Sequence, residues 1–329
     1  MTRRILILSL LIAFASVDQP TANAQIKAAE ADEYLKLGDV QISRYRVGVT
    51  LDARRGAVRN VLAVFPVPLT CAEQEVELVE EDITENIGMY EYRGLVGGEA
   101  KQMVIKIPYL PNKSEARAVL TFDVRTRIIL PPDDTAELSI PPKKPPRELK
   151  RFLGKSPMIE TKHSKIKKLL REIFSPSENE AATELTDWQR VETIYNFVQD
   201  RITYKEQEDK SAVTTLRDGH GDCHNVSALF VALCRTYGIP ARMVWVDQHQ
   251  YPEFCLLDPE GKPHWFPCES SGQRAFGEMP LTRVIMQKGD NFKVPETRES
   301  KRYAAEYMTG VPAAPGGGPP SHKFIRERL

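Results

Sequence analysis

Hydrophobic residues change their period twice along this chain of 329 residues, and each change restricts the fold. From about Tyr34 to Leu130, apolar residues alternate or cluster with β-branched neighbours, as in "YRVGVTLD", "NVLAVFPVPL", "KQMVIKIPYL" and "ARAVLTFDVRTRIIL". Turn-forming stretches such as "DARRG", "LVGGEAK" and "PNKSE" separate these runs. A period of two puts successive side chains on opposite faces of a strand, so this part reads as an all-β, sandwich-like domain. A proline-rich run, Pro131 to Leu149, follows. Proline suits neither a helix interior nor a central strand, so the run reads as an extended surface linker.

Beyond it the period becomes helical. "SKIKKLLREIF" places Ile166, Leu169, Leu170 and Ile173 on one face. "TDWQRVETIYNFVQDRITY" starts with Thr186 and has Gln189 three residues on, a capping box. "CHNVSALFVALCRTYG" is a third helix, with Gly238 as its C-terminal cap and Pro240 blocking continuation. The period then returns to two in "ARMVWVDQ", "HQYPEFCLLD" and "KPHWFPCES", the last two joined by the turn "DPEG". The expected class is α+β, a helix packed on an antiparallel sheet behind an all-β domain. The expected divisions are a signal peptide over 1–24, the β domain over 25–130, the linker over 131–150 and the helix-and-strand domain over 151–295. The remainder, 296–329, with "VPAAPGGGPP", reads as a poorly ordered tail.

The first residues read as an export signal. Arg3 and Arg4 precede an apolar run from Ile5 to Val17, and Ala22 and Ala24 give an A-x-A cleavage pattern before Gln25. The run is shorter than the roughly 20 residues that span a bilayer, so no stable membrane insertion is expected after its removal. Periplasmic or extracellular placement follows. A formal net charge of zero gives no electrostatic reason to expect nucleic acid as a partner. Five cysteines, Cys71, Cys223, Cys234, Cys255 and Cys268, are an odd number, so at least one thiol is unpaired in a monomer.

Cys223 sits in "GHGDCHNVSALF", at a helix start where free N–H groups and the helix dipole favour an anion. A thiolate is such an anion and is the nucleophilic form of cysteine. Gly221 leaves room for a substrate backbone, and Gly221 and Asp222 flank the Cys223 N–H, a candidate oxyanion donor. A buried structural cysteine is the plainer reading. A nucleophile needs a base and an orienting group. If "DPEG" closes a hairpin, residues numbered to sum to about 519 lie opposite each other, and a small offset aligns His249 with Glu269 on one face. That alternation sets Cys255 and Cys268 on opposite faces. Cys223 and Cys234 are about 16 Å apart along a helix, so neither pair forms a disulfide. His224, one residue on from Cys223, points about 100° away from it. A zinc site of His220, Cys223, His224 and His264 or Cys268 is the weaker alternative, because it lacks two close ligand pairs.

Residues from about 160 to 270 resemble the transglutaminase-like superfamily, whose core is papain-like. "WQRVETIYNFVQDRITY" resembles the helix before its site and "LRDGHGDCHNVSALFVALCRTYGIPARMV" its nucleophile segment. "HQYPEF" fits the pattern H-x-aromatic-x-E with His249, Tyr251 and Glu253, and "WFPCE" fits W-x-x-x-D with Trp265 and Glu269. The resemblance implies a Cys-His-Asp triad, carried over as Cys223 nucleophile, His249 base and Glu269 orienting carboxylate. Glu269 stands where aspartate is usual. Tyr251 is a substrate-binding candidate on the same grounds. No cofactor or metal is implied. The expected activity is acyl transfer from a peptide or protein carboxamide through a thioester at Cys223, with hydrolysis favoured over cross-linking. The alternative is a catalytically inactive binding or assembly module of the cell envelope.

Overall fold

A computed structural model of the chain describes residues 34–175, 184–297 and 299–329. The expected signal peptide lies outside them. The front of the chain is six strands, β1 (Lys36–Asp52), β2 (Val58–Val67), β3 (Gln74–Ile83), β4 (Met89–Gly94), β5 (Glu99–Leu110) and β6 (Glu115–Leu130). Then come α1 (Arg147–Lys150), α2 (Ser164–Ile173) and α3 (Asp187–Arg201). The middle is β7 (Thr203–Tyr204), α4 (Ala212–Asp218), β8 (His220–Gly221) and α5 (Cys223–Tyr237). Next are β9 (Ala241–Val246), β10 (His249–Leu257), β11 (Pro263–Glu269), β12 (Ala275–Phe276) and β13 (Ile285–Lys288). The chain closes with β14 (Phe292–Lys293), β15 (Ser300–Lys301), β16 (Tyr307–Pro312) and β17 (Ser321–Arg328).

Strand alternation sets the front core. Tyr45, Val47, Val49 and Leu51 of β1 and Ala116, Ala118, Leu120, Phe122 and Val124 of β6 turn inward. They meet Val61, Ala63 and Phe65 of β2 and Met103, Ile105 and Ile107 of β5 in one apolar cluster. One sheet runs β17-β1-β6-β3. The other runs β12-β11-β10-β9-β13-β5-β2-β16, with β4 also paired to β5. The second sheet crosses the expected domain boundary, because β13 bonds both β9 and β5. The front strands and the later core therefore share one sheet, and residues from 32 onward form one compact unit.

The helices pack on the later half of that sheet. Ile166, Leu169, Leu170 and Ile173 of α2 are buried as their spacing predicts, as are Val191, Ile194, Tyr195 and Val198 of α3. Thr186 and Gln189 form the expected capping box. Nearly all of α5 is buried against the same cluster, which takes in Met243, Phe254, Phe266 and Cys268 from β9 to β11. Gly238 closes α5 in the left-handed region, φ 115°, where glycine has no steric penalty.

Two expectations are corrected. The run 131–150 is not a free linker: it ends in α1 (Arg147–Lys150), and the part before it is tied to the core. Ser139 and Leu257 exchange backbone hydrogen bonds at 2.9 and 2.8 Å, and Leu138 enters the helical core. The chain after 295 is not a loose tail. β16 pairs with β2, and β17 lies along β1 from Tyr45↔Arg328 to Asp52↔Ser321. Its glycines and prolines form the turn between these strands, where Gly316 has φ +83° and the Gly317 N–H donates to the Ala314 carbonyl.

Candidate active site

Two glycines in "DGHGD" shape the entrance to α5 for different reasons. Gly219 ends α4 in the left-handed region, φ +71°. Gly221 is fixed by closeness instead: a Cβ there would lie 2.6 Å from the Asn225 Cβ. Buried Asn225 needs that space, because its Oδ1 accepts from the Lys210 N–H at 2.7 Å. Asp222 is the N-cap of α5, and its Oδ1 accepts from the Asn225 N–H at 2.9 Å. Gly221 and Asp222 thus build the loop that presents Cys223. Cys223 is partly exposed as the first residue of α5, and its carbonyl accepts from the Ser227 hydroxyl at 2.6 Å.

On the sheet, "DPEG" makes the expected turn: the Gly261 N–H donates to the Asp258 carbonyl at 2.9 Å. Its register is one residue from the expected one, with Glu253 opposite Pro267 and Leu257 opposite Pro263. Glu269 nevertheless reaches His249. His249 Nε2–H donates to both carboxylate oxygens, at 2.9 and 3.1 Å. The carboxylate is buried and held in place, since Oε1 also accepts from the Ser271 N–H at 2.9 Å. Its backbone is fixed too, because the Tyr195 hydroxyl donates to the Glu269 carbonyl at 2.6 Å and accepts from the Ala275 N–H at 3.1 Å.

With Nε2 committed to Glu269, Nδ1 is the ring nitrogen left for Cys223. Burial alone would lower the His249 pKa. The nearby Cys223 thiol and the Glu269 carboxylate outweigh it and raise the value to about 9. The imidazole is therefore protonated at neutral pH. Cys223, His249 and Glu269 are brought together from a helix start and two strands.

The other sequence candidates lie elsewhere. Tyr251 is buried in a cluster with Leu69, Ile129, Val244 and Met279, and burial pushes its phenol pKa up. It packs from β10 into this apolar cluster. Glu253 binds Arg242 at 2.7 Å and Lys288 at 2.8 Å. His264 bonds Asp258 at 2.8 Å, His220 lies 3.4 Å from Lys210 Nζ, and His224 bonds Gln250 at 3.1 Å. These histidines do not converge, and no cluster of metal-ligating side chains occurs among the described residues. All five cysteines are free thiols. Tyr204 was not anticipated. It pairs with Gly221 through β7 and β8, is half-exposed, and its pKa is raised by burial and by the charge of Cys223. Only the parallel pairing of two-residue strands places it there, and nothing in the local sequence announces that pairing.

The site thus sets a thiol at a helix start near a histidine–carboxylate pair on adjacent strands. Residues 175–275 match the family model of the transglutaminase-like superfamily core. This part of the chain is transglutaminase-like, and the match stops short of the front strands and the chain end. Among solved structures, a "putative cysteine protease" from Cytophaga hutchinsonii aligns over 90% of this chain and 93% of its own, with TM-score 0.55 and 16% identity, and shares the fold. A "putative protease" from Parabacteroides distasonis aligns over 74% of this chain and 68% of its own at 12% identity, with TM-score 0.27. No curated protein sequence matches the chain.

Proposed function

We propose that the chain is a cysteine-dependent acyl-transfer enzyme acting on a peptide or protein carboxamide, with Cys223 as nucleophile, His249 as proton carrier and Glu269 as orienting carboxylate. The carrying observation is that His249, held by Glu269 at 2.9 Å, lies close enough to Cys223 for the thiol to help raise its pKa. The Cys223 thiolate attacks the carbonyl carbon, and the C–N bond breaks as imidazolium Nδ1–H protonates the leaving amine. The thioester is then attacked by water, which gives its proton to His249, releasing the acid and restoring the thiolate–imidazolium pair. Developing oxyanion charge is within range of the Cys223 N–H at the helix start, and the Tyr204 hydroxyl is the candidate second donor.

Glutamate in place of aspartate does not argue for an inactive module, because the carboxylate makes the histidine contact that the role requires. Hydrolysis is favoured over cross-linking, in line with the protease name carried by the Cytophaga hutchinsonii protein. The N-terminal sequence supports export, which makes an envelope peptide or protein the proposed substrate, and the sandwich-like front strands are a candidate substrate-binding module. Alkylation by iodoacetamide, read at the Cys223 peptide by mass spectrometry, tests the reading. Fast modification at neutral pH that drops in His249→Ala, with carboxamide cleavage lost in Cys223→Ala, is expected. Equal modification rates with and without His249 would sink it.

A further inference from the structure

His224 and Gln250 follow Cys223 and His249 directly in the chain, and both are buried and polar. Their partners come from far away. Arg302 Nη1 donates to His224 Nε2 at 2.6 Å, and Arg302 Nη2 pairs with Asp209. Arginine has no acceptor, so Nε2 must carry the lone pair and Nδ1 the proton. Nδ1–H then donates to Gln250 Oε1 at 3.1 Å. On the far side Asp209 is shared between Arg302 Nη2 and Tyr303, whose hydroxyl donates to Asp209 Oδ2 at 3.1 Å. The connected set runs Gln250, His224, Arg302, Asp209, Tyr303, and each donor in it meets an acceptor.

This chain of hydrogen bonds joins the first turn of α5, the start of β10, the loop before α4 and the segment between β15 and β16. That last segment is itself pinned. The Gln287 side chain donates to the Arg302 carbonyl at 2.8 Å and accepts from the Ala304 N–H at 2.6 Å. Gln102 donates to the Ala305 carbonyl at 3.1 Å. The two elements that carry the nucleophile and the base are thus tied together one residue beyond each.

We propose that this hydrogen-bonded chain, through its His224–Gln250 contact, sets the separation of Cys223 and His249, which makes Arg302 and Tyr303 positioning residues of the active site. The inference rests on the cysteine-enzyme reading above. It gives the chain beyond the family match a part in the chemistry. It also gives His224 a role that neither nucleophile partner nor metal ligand describes.

Full-length Tyr303→Phe and Arg302→Gln each break the chain of hydrogen bonds at a different point. The readouts are the alkylation rate of Cys223 by iodoacetamide at pH 7, the ¹⁵N shifts of the His224 ring, assigned with His224→Gln, and the thermal midpoint. In the wild type, His224 should be the Nδ1–H tautomer. Each variant should slow Cys223 alkylation by about tenfold, because misplacement of about 1 Å costs up to 10²-fold. The double variant should be no slower than the slower single one, because both act through the same His224–Gln250 contact. Lower midpoints with unchanged alkylation, or effects that multiply in the double variant, would overturn the positioning role. An Nε2–H tautomer beside a fully reactive Cys223 would overturn it as well, since the chain would not be arranged as assigned. A wild-type Cys223 no faster than in His249→Ala would remove the enzyme reading, and the positioning role with it.

Discussion

Glu269→Gln isolates what the carboxylate charge does to His249. Glutamine keeps the length of the side chain and one acceptor oxygen, so the contact to Nε2 survives in neutral form. What is lost is a charge-assisted hydrogen bond at 2.9 Å to a carboxylate that is almost fully buried. Hydrogen bonds to charged groups contribute about 1.5–3 kcal/mol. At about 1.4 kcal/mol per pKa unit, the loss is worth roughly one to two units. His249 titrates at about 9 because Cys223 and Glu269 outweigh its burial. In Glu269→Gln the midpoint should fall to between about 7 and 8. The sign follows from linkage. A histidine whose folded pKa is raised contributes stability below its ordinary value near 6.5, and loses that contribution as pH rises through about 9. The variant should therefore lose stability mainly below pH 9 and differ little from wild type above it. The assay is an NMR titration of the His249 Cε1 proton, assigned with His249→Gln, beside urea unfolding at pH 7 and pH 10. A midpoint that stays at about 9 in the variant would refute the argument, because the imidazolium would then owe its persistence to something other than Glu269.

Three further outcomes follow from the packing. Asp222→Ala removes the N-cap of α5 and should cost about 1 kcal/mol in urea unfolding, with Asp222→Asn recovering most of it. Arg235 and Asp290 form a buried ion pair at 2.8 Å that also holds the Ala241 carbonyl and the Met243 N–H, so Asp290→Ala should cost about 3–5 kcal/mol in the same assay. Deleting residues 313–329 removes β17 and bares the edge of β1, so the thermal midpoint should fall and association should rise in light scattering. An unchanged midpoint there would mean that the segment is the loose tail its composition suggests.

Local signals in the sequence carried the helices well. The spacing of Ile166, Leu169, Leu170 and Ile173, the Thr186–Gln189 box and the Gly238 cap are each written within a dozen residues, and each is realised. Period-two alternation likewise located β10 and β11 and put His249 and Glu269 within reach of each other. Non-local pairing was not legible. The bond between β13 and β5, which merges the two halves into one sheet, joins residues far apart in the chain with no local mark on either strand. "VPAAPGGGPP" misled because turn chemistry and low-complexity sequence share a composition, and only pairing with β1 and β2 separates them. The burial of Tyr251, two residues from His249 on β10, was not legible either, because it comes from packing against Leu69 and Ile129 of the distant front segment.

The register explains why a glutamate serves at 269, and it yields a last prediction. Pairing between β10 and β11 ends at Glu253↔Pro267, and His249 pairs instead with Val246 of β9. Continuing the β10–β11 register would set His249 opposite position 271, so Glu269 is its diagonal neighbour, not its direct one. Direct cross-strand neighbours have Cβ atoms about 4.5–5.5 Å apart, and diagonal ones about 7–8 Å, a gap that long side chains cross and short ones do not. The extra methylene of glutamate supplies that reach, and the Ser271 N–H at 2.9 Å stops the longer side chain from wandering. Glu269→Asp should therefore impair this protein even though aspartate is usual at the corresponding place in the family. Its carboxylate would fall short of His249 Nε2, and the His249 midpoint should drop below about 9, toward that of Glu269→Gln. The Ser271 hydroxyl also donates to the same oxygen at 3.3 Å, so Ser271→Gly, which keeps the N–H and loses the hydroxyl, should loosen the carboxylate and slow Cys223 alkylation in the wild type and change little in Glu269→Gln. A Glu269→Asp variant that keeps both the midpoint and the wild-type alkylation rate would show that the strands close up to admit the shorter side chain, and the diagonal-reach argument would fail.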